Sequence, residues 1–442
     1  MFTATAAPAV AVSAFSKGSP MRKFALAATA VAALSVGLQT PAFAAAPDAP
    51  TELTVGWADK SVHLTWKDNG EANTVHLEDL DTNQSRLVAE VLSTSANDVV
   101  LPPTFGQNAR VRLVVKAVAG SEVSTGTATP EFDTQTPGQP VLQDANLATN
   151  LTTTLKYSQA AVVDKNPGDP LDLPATDKAL TAFVDLPGTA TNSYPLDPGA
   201  TSATIPAQAR PASIQLIAAN EWGSFRATKS VRLGTLGAGI SVPASAVYTS
   251  RLAIKSTIDL FTSEGREERA SGIPVELQAR AGTTDAWKTY GKYAGNTTTA
   301  FDTGIASLGN RQYRLWVPAR KIVSTNVIAL TPATSTSAKS SKTLIKFISA
   351  GFTPAVARRG ANVDLSARIS PASTVKARLQ FWDGQRWFDA GPLQFTKGYA
   401  LQHGGAGDEP GSARFRITVP AVVVNGLTVS ATTSSAFTLT VR

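Results

Sequence analysis

Apolar and polar residues alternate along this chain in short runs, and the runs recur. In "SVHLTW", Val62, Leu64 and Trp66 alternate with His63 and Thr65; in "VRLVVKA", Val111, Leu113, Val115 and Ala117 share one parity; in "IQLIAANEWGS", Ile214, Leu216 and Ala218 do the same. A period of two places one parity on one face of an extended chain, so each run predicts a half-buried β-strand. "YRLWVPA", Tyr313 to Ala319, returns 102 residues later as "FRITVPA", Phe415 to Ala421, with an aromatic start, an Arg after it and the same Val-Pro-Ala ending. The pattern is that of an all-β chain containing a duplication.

From Pro47 onward the chain is punctuated about every hundred residues, close to the length of one immunoglobulin-like sandwich. The first unit has a proline-rich start, "APDAPTELTV", an early Val-x-Leu-x-Trp strand and a late alternating strand ending in Ala117. The second repeats the plan with "PGQPVL", "TLKY" at Thr154 to Tyr157, and a strand that runs out through Ala218-x-Asn220-x-x-Gly223-Ser224. These two units, roughly 47 to 234, resemble fibronectin type III domains. The tyrosine which that family places at the start of the late strand is replaced here by Val111 and Ala212, so the usual tyrosine corner is missing.

The third and fourth units match each other. Leu252, Ile254, Ser256 and Ile258 correspond to Val363, Leu365, Ala367 and Ile369, Leu277-Gln278 to Leu379-Gln380, and Trp287 to Trp387, with the offset falling from 111 to 102 and 100. The first step comes from "FTSEGREERASGIP", a longer loop in unit three, since insertions belong at the surface. These two units, roughly 236 to 442, resemble the Ig-like repeats of secreted actinobacterial proteins. The expected architecture is therefore a tandem array of four Ig-like or fibronectin type III-like antiparallel β-sandwiches at 47–134, 138–234, 236–330 and 343–442. "TPATSTSAKSSK", 331–342, has no apolar period and reads as a flexible linker.

Residues 1–44 read as a signal peptide. From Met21 come two basic residues, an apolar run from Phe24 to Leu38 and Ala42-Phe43-Ala44 before the expected cut. Residues 1–20 are then either an extended basic region or sequence upstream of the start used. The apolar run is shorter than the roughly 20 residues that span a bilayer, so no transmembrane segment is expected in the mature chain. There is no cysteine, which excludes a disulfide framework, thiolate metal sites and a cysteine nucleophile. Removing Lys17, Arg22 and Lys23 from 40 basic residues leaves 37 against 33 acidic ones. That excess is too thin for nucleic-acid binding, and no Lys/Arg-rich run accompanies it.

The candidate chemistry is sparse. His63, His76 and His403 are the three histidines and lack metal-ligand spacing. "DKNPGDPLDLPATD" gathers Asp164, Asp169, Asp172 and Asp177, but without the Asp-x-Asp-x-Asp-Gly order of a calcium loop, and Asp beside Pro or Gly is ordinary turn chemistry. No cofactor or metal is assigned.

The tryptophans carry more information. Trp66 falls in a core parity, and the repeated pair Trp287 and Trp387 predicts a shared core role. If Phe381 and Trp387 both face inward, a three-residue turn, Asp383-Gly384-Gln385, joins their strands. That register turns Trp382 outward, and alternation turns Trp316 outward as well. With Trp222 in the loop-like "NEWGS", these three are the candidate ligand residues, suited to stacking on a sugar ring. The competing roles are cover by an arginine or a contact between domains.

The function these features predict is that of a secreted, non-catalytic protein acting in adhesion or display of binding surfaces at the cell envelope. The alternative is a carbohydrate-binding accessory protein, and the third reading an accessory part of an extracellular hydrolase system. The partners expected are a cell-wall polysaccharide or a surface protein.

Overall fold

Alternating parity becomes paired sheets because each strand can bury only one face. The computed structural model describes residues 45–174, 179–261 and 266–442; the expected signal peptide, Asp177 and Glu264 lie outside the described residues. Four antiparallel sandwiches follow one another from Pro47 to Arg442. In domain one, Thr51–Ala58, Ser61–Lys67 and Asp98–Leu101 form one sheet. The facing sheet is built on Gln84–Val91, Ala72–Asp79 and Arg110–Ala119. Val62, Leu64 and Trp66 meet Val75, Leu77, Val111, Leu113 and Val115 between them. Domain two closes Leu155 and Tyr157 against Leu180, Val184, Ile214 and Leu216 in the same way.

The duplication extends to register. Ser271–Arg280 pairs with Arg311–Val317 so that Leu277 lies opposite Leu315 and Gln278 opposite Arg314. Val375–Trp382 pairs with Gly411–Val419 so that Leu379 lies opposite Ile417 and Gln380 opposite Arg416. A β-bulge falls at the same step in both repeats, between Leu277 and Gln278 and between Leu379 and Gln380. In both, the apolar parity packs inward against a three-stranded sheet.

The expected linker is not a linker. Thr334–Ser335 and Lys339–Leu344 both pair with Arg311–Val317, as Thr432–Thr433 and Phe437–Val441 pair with Gly411–Val419 in domain four. The segment is the last strand of domain three. It carries small hydroxyls where the domain four strand carries apolar residues, and Thr343 is fully buried. Its hydroxyl meets that of Ser307 at 2.6 Å and accepts the Gly309 N–H at 3.0 Å, so hydrogen bonding holds this inward position in place of apolar packing.

Domains two, three and four are joined by shared backbone hydrogen bonds. After Arg311–Val317, a hairpin of Arg320–Val323 and Val327–Thr331 leaves domain three and adds to the sheet of domain two. Val327–Thr331 runs parallel to Ser230–Leu233, with Val231 opposite Ile328 and Leu233 opposite Leu330. Ile328 and Leu330 lie inside the domain two core. Lys321 adds an ion pair to Asp144 at 2.5 Å. Domain four repeats the device in shorter form with Val422–Val424 and Leu427–Val429. Ser430 bridges Leu344 in parallel, the Ser430 N–H donates to Thr343 O at 2.7 Å, and the Asn310 N–H donates to Thr428 O at 2.7 Å. Gly309 is required there, because a Cβ would stand 2.4 Å from Leu427.

This pairing reverses the proteolytic behaviour expected of a linker. Limited trypsin digestion should leave the Lys339 and Lys342 bonds uncut while exposed turns are cleaved. Early release of a fragment beginning at Ser340 or Thr343 would show that the strand is not held.

Candidate functional site

The outward parity of domains three and four carries most of the unexplained aromatic and charged residues. In domain three, Glu276, Gln278 and Arg280 point away from the core and lie opposite Trp316, Arg314 and Gln312. Arg314 donates through Nε to Gln278 Oε1 at 2.9 Å, and Arg280 through Nε to Gln312 Oε1 at 2.9 Å. The two guanidiniums each stand 4.5 Å from the ring of Trp287, which is clasped between them. Burial, with the neighbouring Arg280 charge, lowers the Arg314 pKa. In domain four, Arg416 Nε donates to Gln380 Oε1 at 2.7 Å and its guanidinium lies 4.3 Å from the Trp387 ring.

Trp287 and Trp387 are therefore not core residues, contrary to expectation. They are half-buried on the outer face, each held by the arginine that follows the aromatic start of "YRLWVPA" or "FRITVPA". The duplicated signal is a Gln-Arg-Trp clamp, and the repeated Arg314 and Arg416 were its legible half. The physical reason lies in the turn. Asp383 Oδ1 accepts the N–H groups of Gln385 and Arg386 at 2.7 Å each, and these bonds hold its carboxyl below the ordinary range. The loop closes over four residues, 383–386, pairing Trp382 with Trp387 and Phe381 with Phe388. One residue more than expected puts Trp387 on the opposite face.

Trp382 and Trp387 consequently stand side by side, centroids 5.3 Å apart and planes at 54°, with Arg414 opposite Trp382 on the other neighbouring strand. Trp316 is also on the outer face, between Glu276 and Ser335. The Thr289 hydroxyl donates to Glu276 at 2.6 Å and lowers its pKa against the effect of burial. The three candidate tryptophans are not brought together.

Trp222 sits elsewhere, in the joint between domains one and two. Its ring stacks on Phe132 at 5.8 Å and 8°, and lies 5.3 Å from Trp57 and 6.1 Å from Phe105, so it caps the domain one core. The domain contact weighed for it from sequence is the role the packing gives it. The acidic loop serves the same joint. Leu171 is buried in the domain one core and its carbonyl accepts the Trp57 Nε1–H at 2.6 Å. Asp169 accepts the Asp133 N–H at 2.8 Å, and Asp133 accepts the Lys165 N–H at 2.8 Å. Burial raises the pKa values of Asp164 and Asp169. Among the described residues no group of three or more His, Asp or Glu is placed to hold a metal ion. His63 faces Asp98 at 3.4 Å and His403 faces Asp364 at 2.7 Å, both as pairs on sheet surfaces.

No protein-family model matches the chain, and no curated protein matches it in sequence. Among solved structures, a tetra-tandem repeat from the extending region of a large adhesion protein matches at 11% identity, over 88% of this chain and 99% of the other, with a TM-score of 0.26. A two-domain fibronectin type III segment of chicken tenascin matches at 13% identity, over 41% of this chain and 96% of the other, with a TM-score of 0.20. The fold class rests on the sheets themselves: an all-β tandem array of Ig-like or fibronectin type III-like sandwiches. Among the described residues no helix is long and apolar enough to cross a membrane.

The clamp geometry sets the cost of losing its tryptophans. Trp287→Ala and Trp387→Ala should each destabilise their domain by about 0.5–2 kcal/mol, the scale of a cation–π contact. A loss of about 3–5 kcal/mol in denaturant melts, the scale of a core aromatic, would contradict the outward assignment.

Proposed function

We propose that Pro47–Arg442 is the exported, non-catalytic part of a protein that holds binding surfaces at fixed spacing, in adhesion to or display at the cell envelope. The observation that carries this reading is the parallel pairing of Val327–Thr331 with Ser230–Leu233, which seats side chains of domain three in the core of domain two. Such a joint resists bending, because bending it means breaking a sheet ladder and exposing Ile328 and Leu330. A spacer that transmits position between distant contacts needs this property. Export rests on the basic, apolar and Ala-Phe-Ala sequence from Met21 to Ala44.

A second reading, saccharide recognition, is favoured by the adjoining outward rings of Trp382 and Trp387 beside Arg414 and Arg416. Two rings at an angle offer a sugar one stacking face and one edge, and the guanidiniums offer donors to hydroxyls. Cell-wall polysaccharide is the partner this face suits. On a glycan array, Trp382→Ala should abolish binding while the melting temperature stays within a few degrees; unchanged glycan binding removes this reading and leaves the spacer intact.

Because the chain lacks cysteine, two introduced cysteines label uniquely. Spin labels at Val141→Cys in domain two and Ala300→Cys in domain three should give a narrow distance distribution by pulsed dipolar spectroscopy. A broad one, as from a hinged pair, would overturn the spacer reading. Intact-mass analysis of protein recovered from culture medium should find Ala45 at the N-terminus, and a cell-retained chain still carrying Phe24 to Leu38 would remove export.

A further inference from the structure

Where the domain four hairpin turns against the end of the domain three sheet, it walls a cavity of 460 Å³. The tip residues Asn425, Gly426 and Leu427 form one side, and the domain three strand ends form the other. The walls carry three cations, Arg280, Lys288 and Arg311, and one carboxylate, Asp285. Asp285, whose Oδ2 accepts the Gly282 N–H at 2.8 Å within its own turn, offsets one of these charges and leaves the walls with an excess of two positive charges. Among the described residues no ion pair engages any of the three cations.

Two of these cations are held in place before any ligand arrives. The Arg311 guanidinium lies 4.4 Å over the ring of Tyr290. Arg280 lies 4.5 Å over Trp287 with Nε fixed on Gln312. A stacked guanidinium keeps its remaining edge donors in one plane, which suits two-pronged recognition of a carboxylate or phosphate and reduces the ordering cost of binding. Tyr290 is the bulged residue of its strand, and 43% of it stays exposed beside the cations. A cluster of cations and a partly exposed tyrosine ring thus share one opening.

We infer that this cavity binds the anionic group of an acidic glycan, the carboxylate of a uronic acid or the phosphate of a sugar- or polyol-phosphate polymer. The site is separate from the Trp382–Trp387 face and does not depend on it. It also requires both domains, because domain four supplies one wall.

The test is calorimetric titration of the full chain with three probes: a galacturonate tetramer, its methyl ester and a glycerol-phosphate oligomer. At least one anionic probe should bind, the neutral ester should not, and affinity should fall as salt rises. Binding of one anionic probe alone identifies the carboxylate or the phosphate as the recognised group. Arg311→Gln should weaken binding by about tenfold or more, the loss expected of a charge-assisted contact. Since Arg311 also packs on Tyr290, Lys288→Gln, which stacks on no ring, provides a variant whose folding is not at issue, and it should weaken binding too. Trp382→Ala should leave the affinity unchanged, which separates this site from the outer-face reading. Failure of both anionic probes to bind at millimolar concentration, equal binding of the ester, or unaltered affinity in the Arg280→Gln/Arg311→Gln and Lys288→Gln variants would each overturn the inference.

Discussion

The arrangement of domains two, three and four depends on one interaction, the sharing of backbone hydrogen bonds between a domain's last strand and a hairpin from the next domain. Ser230–Leu233 is flanked on one side by its own domain's Ala212–Asn220 and on the other by Val327–Thr331 of domain three. Without that second partner the strand would be a sheet edge with unpaired donors and acceptors, and the domain two core would lose Ile328 and Leu330. The joint is therefore part of the stability of domain two, and domain two cannot be described without its neighbour. The bond between Leu344 and Ser430 shows the same solution at the next junction, reduced to a single bridge and supported by Asn310.

The first junction reaches a similar end by different chemistry. Among the described residues no hairpin crosses it; two loops of domain two lay Leu171 and Trp222 into the open end of the domain one core, and aspartates and main-chain amides fasten the rim. The difference follows the two sequence types. The fibronectin-like pair is joined by side chains in loops, whereas the repeated pair carries a dedicated hairpin after its Val-Pro-Ala signal. Packing at the junctions decides which surfaces stay exposed: Trp222 is consumed by packing, while the outer faces of domains three and four and the cavity under the domain four hairpin stay accessible.

Strand alternation was enough to read the sheets, the core parities and the duplication, because a period of two is fixed by backbone geometry. It was not enough for Trp387, whose face depends on whether a turn closes over three residues or four. That choice was made by the Asp383 carboxylate capping Gln385 and Arg386, a local hydrogen bond with no apolar signature. The 331–342 segment was misread for a related reason. The inward positions of its strand, Lys339–Leu344, are the hydroxyl residues Ser341 and Thr343, the latter bonded to Ser307 and Gly309, so burial left no hydrophobic mark. The available signal was the duplication itself, since "TSTSAKSSKTL" from Thr334 lies 98 residues before "TTSSAFTLTVR" from Thr432, the final strand of the chain. The crossing hairpin was hidden because alternation in Val327–Thr331 says which face is buried but not in whose core.

Hydrogen exchange at the two ends of the shared ladder reports most directly on whether domain three completes the sheet of domain two. The Ser230 N–H donates to Asn326 O at 2.9 Å and the Gly234 N–H to Leu330 O at 2.9 Å, so both amides of the domain two terminus rely on carbonyls of domain three. In the native chain they should be protected to the same degree as the Ile214 and Leu216 amides of the domain two core strand, and Ile328→Asp should release them while the Leu315 amide in domain three stays slow. Exchange of Ser230 and Gly234 at the unprotected rate in the native chain would contradict the shared sheet.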